Sequence, residues 1–229
     1  RSDEVVVVHR DVTERVNRQR ELEQRKDRLD EFASIVSHDL RNPLKTARGR
    51  LELAMKDCDS EQLPHVDRAL DRMDTLIQDL LTLARSGDTV ADHEPVDFEA
   101  VAKDCWGIVG TARSTLTARA DRMVYADRSR LKQVFENLIR NAVEHGGDDV
   151  TVTVGELDDG FYVEDDGPGI PEERRDEVFS AGYSTSETGT GFGLSIVRQI
   201  AEAHGWDVRV TDGTDGGARF EFANVTFAK

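Results

Sequence analysis

Residues 37 to 45 read Ser-His-Asp-Leu-Arg-Asn-Pro-Leu-Lys, so an imidazole, a carboxylate, a carboxamide and a proline sit almost side by side. A histidine with an ordinary pKa of about 6.5 is largely neutral at pH 7, and a neutral ring nitrogen is a nucleophile. Asp39 can accept a hydrogen bond from one ring nitrogen of His38 and leave the lone pair of the other exposed. At the helical advance of about 100° per residue, Leu29, Phe32, Val36 and Leu40 share a narrow arc. His38 falls nearly opposite that arc, with Ser34, Asn42 and Lys45, and so faces outward. A lone outward histidine is ordinarily a solvated side chain, but here its neighbours supply an orienting carboxylate and a hinge. Pro43 removes one backbone bond and crowds the carbonyl of Asp39, at a cost of about 3 kcal/mol in a helix interior. A bend is expected beside His38, with a merely tolerated kink as the plainer reading.

Three further constellations stand in the C-terminal half. Asn137-Leu-Ile-Arg-Asn141 stacks two amides on one helix face at four-residue spacing, with Leu131, Val134, Phe135 and Leu138 on a buried side. Neutral carbonyl oxygens suit Mg²⁺ when phosphates complete its shell. Two surface amides are the bland alternative. Asp165-Asp166-Gly167-Pro168-Gly169-Ile170 follows the apolar end of a strand. Its glycines let the backbone approach a flat ligand, and a carboxylate there can accept from an exocyclic amino group. A plain turn reads equally well locally. Gly189-Thr-Gly191-Phe-Gly193-Leu194-Ser195 opens a helix, where glycines expose amide donors to phosphate at the positive end of the dipole. It lacks the Gly-Lys-Ser/Thr of a Walker loop, and no strand immediately precedes it as a Rossmann fingerprint requires.

The elements that must carry these groups can be read from pattern. Val5 to Val8 is a short strand without a partner, expected to be the end of an upstream domain. From residue 11 to about 57 the chain is rich in Arg, Glu, Leu and Gln, and Leu22, Leu29 and Val36 recur every seven residues like a coiled-coil seam. A second helix is expected from about Glu61 to Arg85, with Ser60 as cap and Val66, Leu70, Met73, Ile77, Leu80 and Ala84 on one side. The two helices would form an antiparallel hairpin, and two hairpins about a two-fold axis a four-helix bundle. A monomer whose hairpin docks on its own C-terminal domain is the alternative. Residues 87–94 read as a linker. Beyond Pro95, helical patterns at Phe98 to Trp106, Asp127 to Glu144 and Gly193 to Ala203 alternate with strands at Val150 to Val154, Gly160 to Val163, Val208 to Val210 and Ala218 to Phe222. Turns at Asp158-Asp159-Gly160 and Gly213 to Gly217 complete an α+β layered domain.

Composition narrows the function. The 229 residues carry a net charge of −16, which argues against a nucleic-acid partner. Arginine outnumbers lysine and acidic residues are dispersed, as suits a protein soluble in high salt and so a halophile. No apolar run is long enough to span a membrane and no export leader opens the chain. Cys58 and Cys105 fit neither a disulfide framework nor a metal knuckle, so a reducing, cytoplasmic setting is expected.

In this order the motifs resemble those of the sensor histidine kinases of two-component systems, over about residues 11 to 229. His38-Asp39-Leu-Arg-Asn42-Pro43 is similar to the phosphoacceptor H box of the dimerisation and phosphotransfer domain. Asn137 and Asn141 match the N box, Asp165-x-Gly167-x-Gly169 the G1 box, Phe179 the F box and Gly189-x-Gly191-x-Gly193 the G2 box. Val-His-Arg-Asp-Val-Thr-Glu-Arg is similar to the exit of a PAS sensor domain, which implies 1–10 as its tail and 11–86 as linker coil and hairpin. Residues 95–229 would be an ATP-binding α/β sandwich of the GHKL, or Bergerat, type, shared with type II topoisomerases and mismatch-repair ATPases.

The resemblance implies that ATP is held by Asn137, Asn141, His145, Asp165, Gly167, Gly169, Ile170, Phe179, Thr190, Gly191, Gly193 and Leu194. Asp165 would take adenine, and Asn141, helped by Asn137, Mg²⁺. His38 would receive the γ-phosphoryl group, oriented by Asp39, and pass it to an aspartate of a response regulator receiver domain. Asn42, one turn on, would position water for dephosphorylating that regulator. The chain departs from the pattern at Glu144, where a lysine near the phosphates is common; His145, Arg140 or a lid residue is left to compensate. The short stretch between Phe179 and Gly189 predicts a small nucleotide lid. Two rivals remain at this level: a GHKL ATPase, which needs a catalytic glutamate where Asn137 stands, and a degenerate signalling scaffold without catalysis.

Overall fold

A computed structural model of the chain describes residues 40–56, 58, 60, 62–84, 93–109, 113–147, 149–184 and 190–228. The coiled-coil seam, the PAS-like tail, His38, Asp39 and Gly189 lie outside them. The chain divides into two units, Arg1–Leu70 and Asp71–Lys229.

In the first unit a helix, α1, runs over 40–56. Pro43 lies within it, and Asp39, whose carbonyl the proline ring would crowd, lies outside the described residues. Asn42 and Lys45 are exposed, but so is Leu40, which the wheel placed on the apolar arc, and the Thr46 hydroxyl donates to the Asn42 carbonyl at 3.0 Å. A second helix, α2, spans Leu63–Ala84 and crosses from the first unit into the second. The helix starts two residues later than expected, and Ser60 holds the turn that leads into it, not the N-cap: its hydroxyl accepts the Gln62 amide at 3.4 Å and its carbonyl the Leu63 amide at 3.1 Å. Leu70 and Ile77 are buried, whereas Val66, Met73 and Leu80 of the same stripe are exposed.

The second unit is an α/β sandwich. After β1 (Glu94–Val96) come α3 (Phe98–Val109), β2 (Thr115–Ala118), β3 (Val124–Ala126) and α4 (Arg128–His145). The hairpin β4 (Thr151–Leu157) and β5 (Gly160–Asp165), two 3₁₀ turns, α5 (Gly193–His204), β6 (Asp207–Gly213) and β7 (Gly216–Ala223) complete it. β1 and β3 pair antiparallel. The main sheet has the order β2-β4-β5-β7-β6, antiparallel except for the parallel pair β2 and β4.

Both expected hairpin turns form, at Asp158-Asp159 and at Thr214-Asp215. Three short strands, β1 to β3, were not expected. Each has only three or four residues, too few for alternation to show.

Alternation along the central strands explains the two faces. Phe161 and Val163 of β5 and Phe220 and Phe222 of β7 point to the core, while Tyr162, Glu164, Arg219 and Glu221 occupy the outer face. There the Arg219 guanidinium lies 3.6 Å over the Tyr162 ring and pairs with Glu164 and Glu221. Phe161 is the hub of the core: it stacks on Phe222 at 4.6 Å and meets Phe98, Phe135 and Trp206 within 5.8 Å. Each such ring contributes about 1.5–3 kcal/mol by leaving water.

Asp127 caps α4 as expected, its Oδ1 accepting the amides of Ser129 and Arg130. His204, at the end of α5, fastens the same corner. Its Nε2 accepts the Asp127 amide at 3.0 Å while Nδ1–H donates to the Ile200 carbonyl, which defines the neutral tautomer. Cys58 and Cys105 are free thiols. Burial pushes the Cys105 pKa up to about 12, so that thiol is inert.

Candidate nucleotide site

The site grows from the end of β5. Asp165 is half-buried, and its Oδ1 accepts the amides of Gly167 at 2.9 Å and Ala218 at 3.2 Å. Among the described residues its Oδ2 has no hydrogen-bond partner, so it can accept from a ligand. Burial raises its pKa above the ordinary carboxylate range; the two amides oppose this, while the charges of Asp166 and Glu164 add to it. A carboxylate kept at such a cost fits a binding role.

Glycines close the backbone around it. A Cβ on Gly167 would lie 2.6 Å from Gly146 Cα at the end of α4, next to His145. A Cβ on Gly217 would lie 1.8 Å from the Asp165 carbonyl oxygen, and Gly169 packs on Gly217 with φ +73°. The loop after β5, the end of α4 and the start of β7 therefore meet at Asp165. Ile170 is half-buried at the edge of the core, its carbonyl held by Arg175 Nε at 3.1 Å.

The second half of the site is the start of α5. Gly191, at φ +75°, pairs with Gly182, and Gly193 begins the helix. The N-cap residue, Phe192, provides no side-chain hydrogen bond, which leaves the first amides of α5 available to an anion. Asn137 is buried on α4; its Nδ2 donates to the Gln133 carbonyl at 3.0 Å, and its Oδ1 lies 3.2 Å from where a Gly193 Cβ would stand. The structure thus brings the first N-box amide against the G2 glycines. Asn141 is half-buried one turn further on, and Leu194 is half-buried against the core. Phe179 is a buried ring, edge-on to Phe220 and capped by the Arg198 guanidinium at 4.3 Å. Glu144 and His145 are exposed. Asn42 belongs to the other unit.

These features fit an adenine nucleotide: one oxygen of a half-buried carboxylate free to accept, glycines that admit close approach, and an uncapped helix start. Among the described residues no three His, Cys, Asp or Glu side chains converge as metal ligands. A cation here would rest on amide and phosphate oxygens.

One member of this neighbourhood is invisible in sequence. Asp79 of α2 is 5% exposed, and its Oδ2 accepts the Thr190 hydroxyl at 2.8 Å across 111 positions. Burial raises its pKa, against the Thr190 hydrogen bond and the nearby charge of Arg140. Asp79 follows Gln78 in a polar pair between Ile77 and Leu80, and nothing local names its partner.

The fold and the glycine-lined site define a nucleotide-binding module. Residues 126–228 match the family described as histidine kinase-, DNA gyrase B-, and HSP90-like ATPase. Residues 28–89 match the His Kinase A (phospho-acceptor) domain, a span that includes His38. With both domains in this order, the chain belongs to the two-component sensor histidine kinases.

It is 33% identical over 211 residues to the sensor histidine kinase ZraS of Klebsiella oxytoca, covering 85% of this chain and 45% of that protein. It is 30% identical over 221 residues to the signal transduction histidine-protein kinase/phosphatase MprB of Mycobacterium ulcerans, covering 86% and 43%. The chain spans less than half the length of these two curated relatives. Among solved structures, full-length ShkA in complex with AMPPNP superposes with a TM-score of 0.65 at 28% identity, over 86% of this chain and 46% of that one.

Proposed function

We propose that this chain is the catalytic core of a sensor histidine kinase that transfers the γ-phosphoryl group of ATP to His38 and then to an aspartate of a response regulator. The observation that carries the reading is the pairing, in one chain, of a phosphoacceptor-domain match enclosing His38 with a nucleotide domain whose Asp165 keeps an acceptor oxygen free. Asp165 accepts from the adenine amino group, and the glycines from Gly167 to Gly169 admit the ring. The first amides of α5, with Thr190 and Gly191, hold the phosphates. Mg²⁺, carried by Asn141 with Asn137, supplies charge neutralisation when bound.

In the transfer a ring nitrogen of His38 forms a bond to the γ-phosphorus as the bond to the β–γ bridging oxygen breaks, and ADP departs. Asp39 takes the proton from the other ring nitrogen. The phosphoramidate formed is reactive enough to pass its phosphoryl group to a carboxylate. Asn42 serves the reverse task, placing water against the regulator's phospho-aspartate; a phosphatase role is also in the name of the relative MprB.

The chain works as a homodimer through its helical segment, where Leu40, Leu53, Met55, Val66, Met73 and Leu80 are 43% to 55% exposed. No helix among the described residues is long and apolar enough to cross a membrane. We place the core in the cytoplasm, with a PAS sensor domain upstream and domain limits at 11–86 and 95–229.

Incubation with radiolabelled Mg-ATP tests the transfer. Acid-labile, base-stable label on the wild-type chain, absent from His38→Ala, is the expected result. Phosphate release without protein label would turn the chain into an ATPase, and neither signal would leave a scaffold.

A further inference from the structure

The transfer proposed above gives no role to Asp79, a buried carboxylate beside the nucleotide site. Asp79 and Asn137 are the two buried polar side chains among the described residues, and only Asp79 carries a charge. Burying a carboxylate is expensive unless partners repay it. Its hydrogen-bond partner is the Thr190 hydroxyl, two residues before Phe192 at the start of α5, and the charge of Arg140 favours its ionised form. A hydroxyl beside a helix start, with a guanidinium at hand, is the set of donors that a phosphate oxygen also seeks.

A second rung supports the first. Thr82 lies three residues beyond Asp79, on the same face of α2, and its hydroxyl accepts from the Gln133 side-chain Nε2 at 2.8 Å. Gln133, Asn137 and Arg140 follow one another along one face of α4. The Gln133 carbonyl in turn holds the Asn137 side chain, which packs on Gly193. The end of α2 is therefore clasped to the face of α4 that carries the N-box amide, and to the loop that opens α5.

We propose that Asp79 is a built-in stand-in for a nucleotide phosphate: it occupies the Thr190 hydroxyl, ties the end of α2 to the nucleotide domain, and is displaced when nucleotide binds. This rests on the nucleotide reading above. One hydroxyl proton serves one acceptor, and a phosphate beside a retained carboxylate would meet like-charge repulsion. Nucleotide loading and release of α2 are then a single coupled event. By reciprocity, whatever pulls α2 away raises nucleotide affinity by the factor that nucleotide favours release. The device gives a signal arriving along the helices a direct grip on the ATP site.

Equilibrium binding of ADP and of a non-hydrolysable ATP analogue to the full chain, in Mg²⁺ buffer, tests this. Asp79→Ala is expected to lower Kd about tenfold, within the usual range for coupled sites. Asp79→Asn, isosteric and uncharged, should lower it several-fold and guards against a folding defect. Hydrogen exchange over residues 71–84 should accelerate when wild type is saturated with nucleotide, and should already be fast in Asp79→Ala. If wild type binds nucleotide and both variants bind no more tightly, the stand-in is wrong and the nucleotide reading stands. If neither wild type nor variants bind, both fall. Slowed or unchanged exchange in wild type on saturation would also overturn it.

Discussion

Gly191 and Gly182 are joined by a 2.9 Å hydrogen bond from the Gly182 amide to the Gly191 carbonyl, with Gly191 at φ +75°. The contact joins the residues just before α5 to the turn that follows Phe179. A Cβ on Gly191 would lie 2.7 Å from the Gly182 carbonyl carbon, so backbone, not a pliant side chain, would have to move.

Gly191→Ala should therefore break this contact. The left-handed conformation costs an alanine about 1–2 kcal/mol, before any clash. Nucleotide affinity is expected to fall at least about tenfold, while the melting temperature drops only about 2–4 °C per kcal/mol. Thermal melts with and without nucleotide measure both. A variant that melts lower yet keeps wild-type affinity would remove Gly191 from the site.

Asp165→Asn separates binding from stability in the opposite sense. The amide oxygen can keep the Gly167 and Ala218 hydrogen bonds, but no carboxylate oxygen remains to accept from adenine. Losing a hydrogen bond to a charged group costs about 1.5–3 kcal/mol, or roughly 10- to 150-fold in Kd. Because burial raises the Asp165 pKa, its ionised form weakens the fold at neutral pH. The variant should melt no lower than wild type, and calorimetric titration with ADP should show the loss of binding.

Much of this was legible because the elements are long and the chemistry is local. The α4 and α5 helices, the central strands, the Asp127 cap and the glycine clusters all follow from residues close in sequence. The short strands β1 to β3 did not show, since tertiary pairing rather than periodicity makes them. Long-range partners also escaped: Gly217 against Asp165, His204 against Asp127, and Asp79 against Thr190. Their residue types are ordinary, and only folding puts them in contact.

His204 predicts a pH dependence. Burial lowers its pKa from the usual 6.5; the Ile200 carbonyl opposes this, the charges of His93 and Arg130 reinforce it, and Asp127 opposes it. The folded chain thus binds fewer protons than the unfolded chain in the window just below 6.5. Stability is complete above that value and declines as pH falls through the window. Its ring stacks on Trp206 at 4.3 Å, so tryptophan fluorescence reports its titration. In His204→Phe the decline should flatten, with stability lower throughout by about 1–3 kcal/mol for the unpaired Asp127 amide. Equal pH profiles for both proteins would exclude His204 as the source.

Salt should stabilise the chain. A net charge of −16 repels itself, and the screening length shrinks from about 10 Å at 0.1 M to about 3 Å at 1 M. The melting temperature should rise as KCl goes from 0.1 to 1 M; a fall would mean that ion pairs such as Arg219–Glu164 outweigh the repulsion.

Localising the phosphoryl group decides the central claim. The wild-type chain is incubated with Mg-ATP, quenched at alkaline pH and digested, and its peptides are sequenced by mass spectrometry. The expected result is a single phosphoryl group on His38, absent from Asp165→Asn. A phosphoryl group on another residue, or none while ATP is consumed, would contradict it.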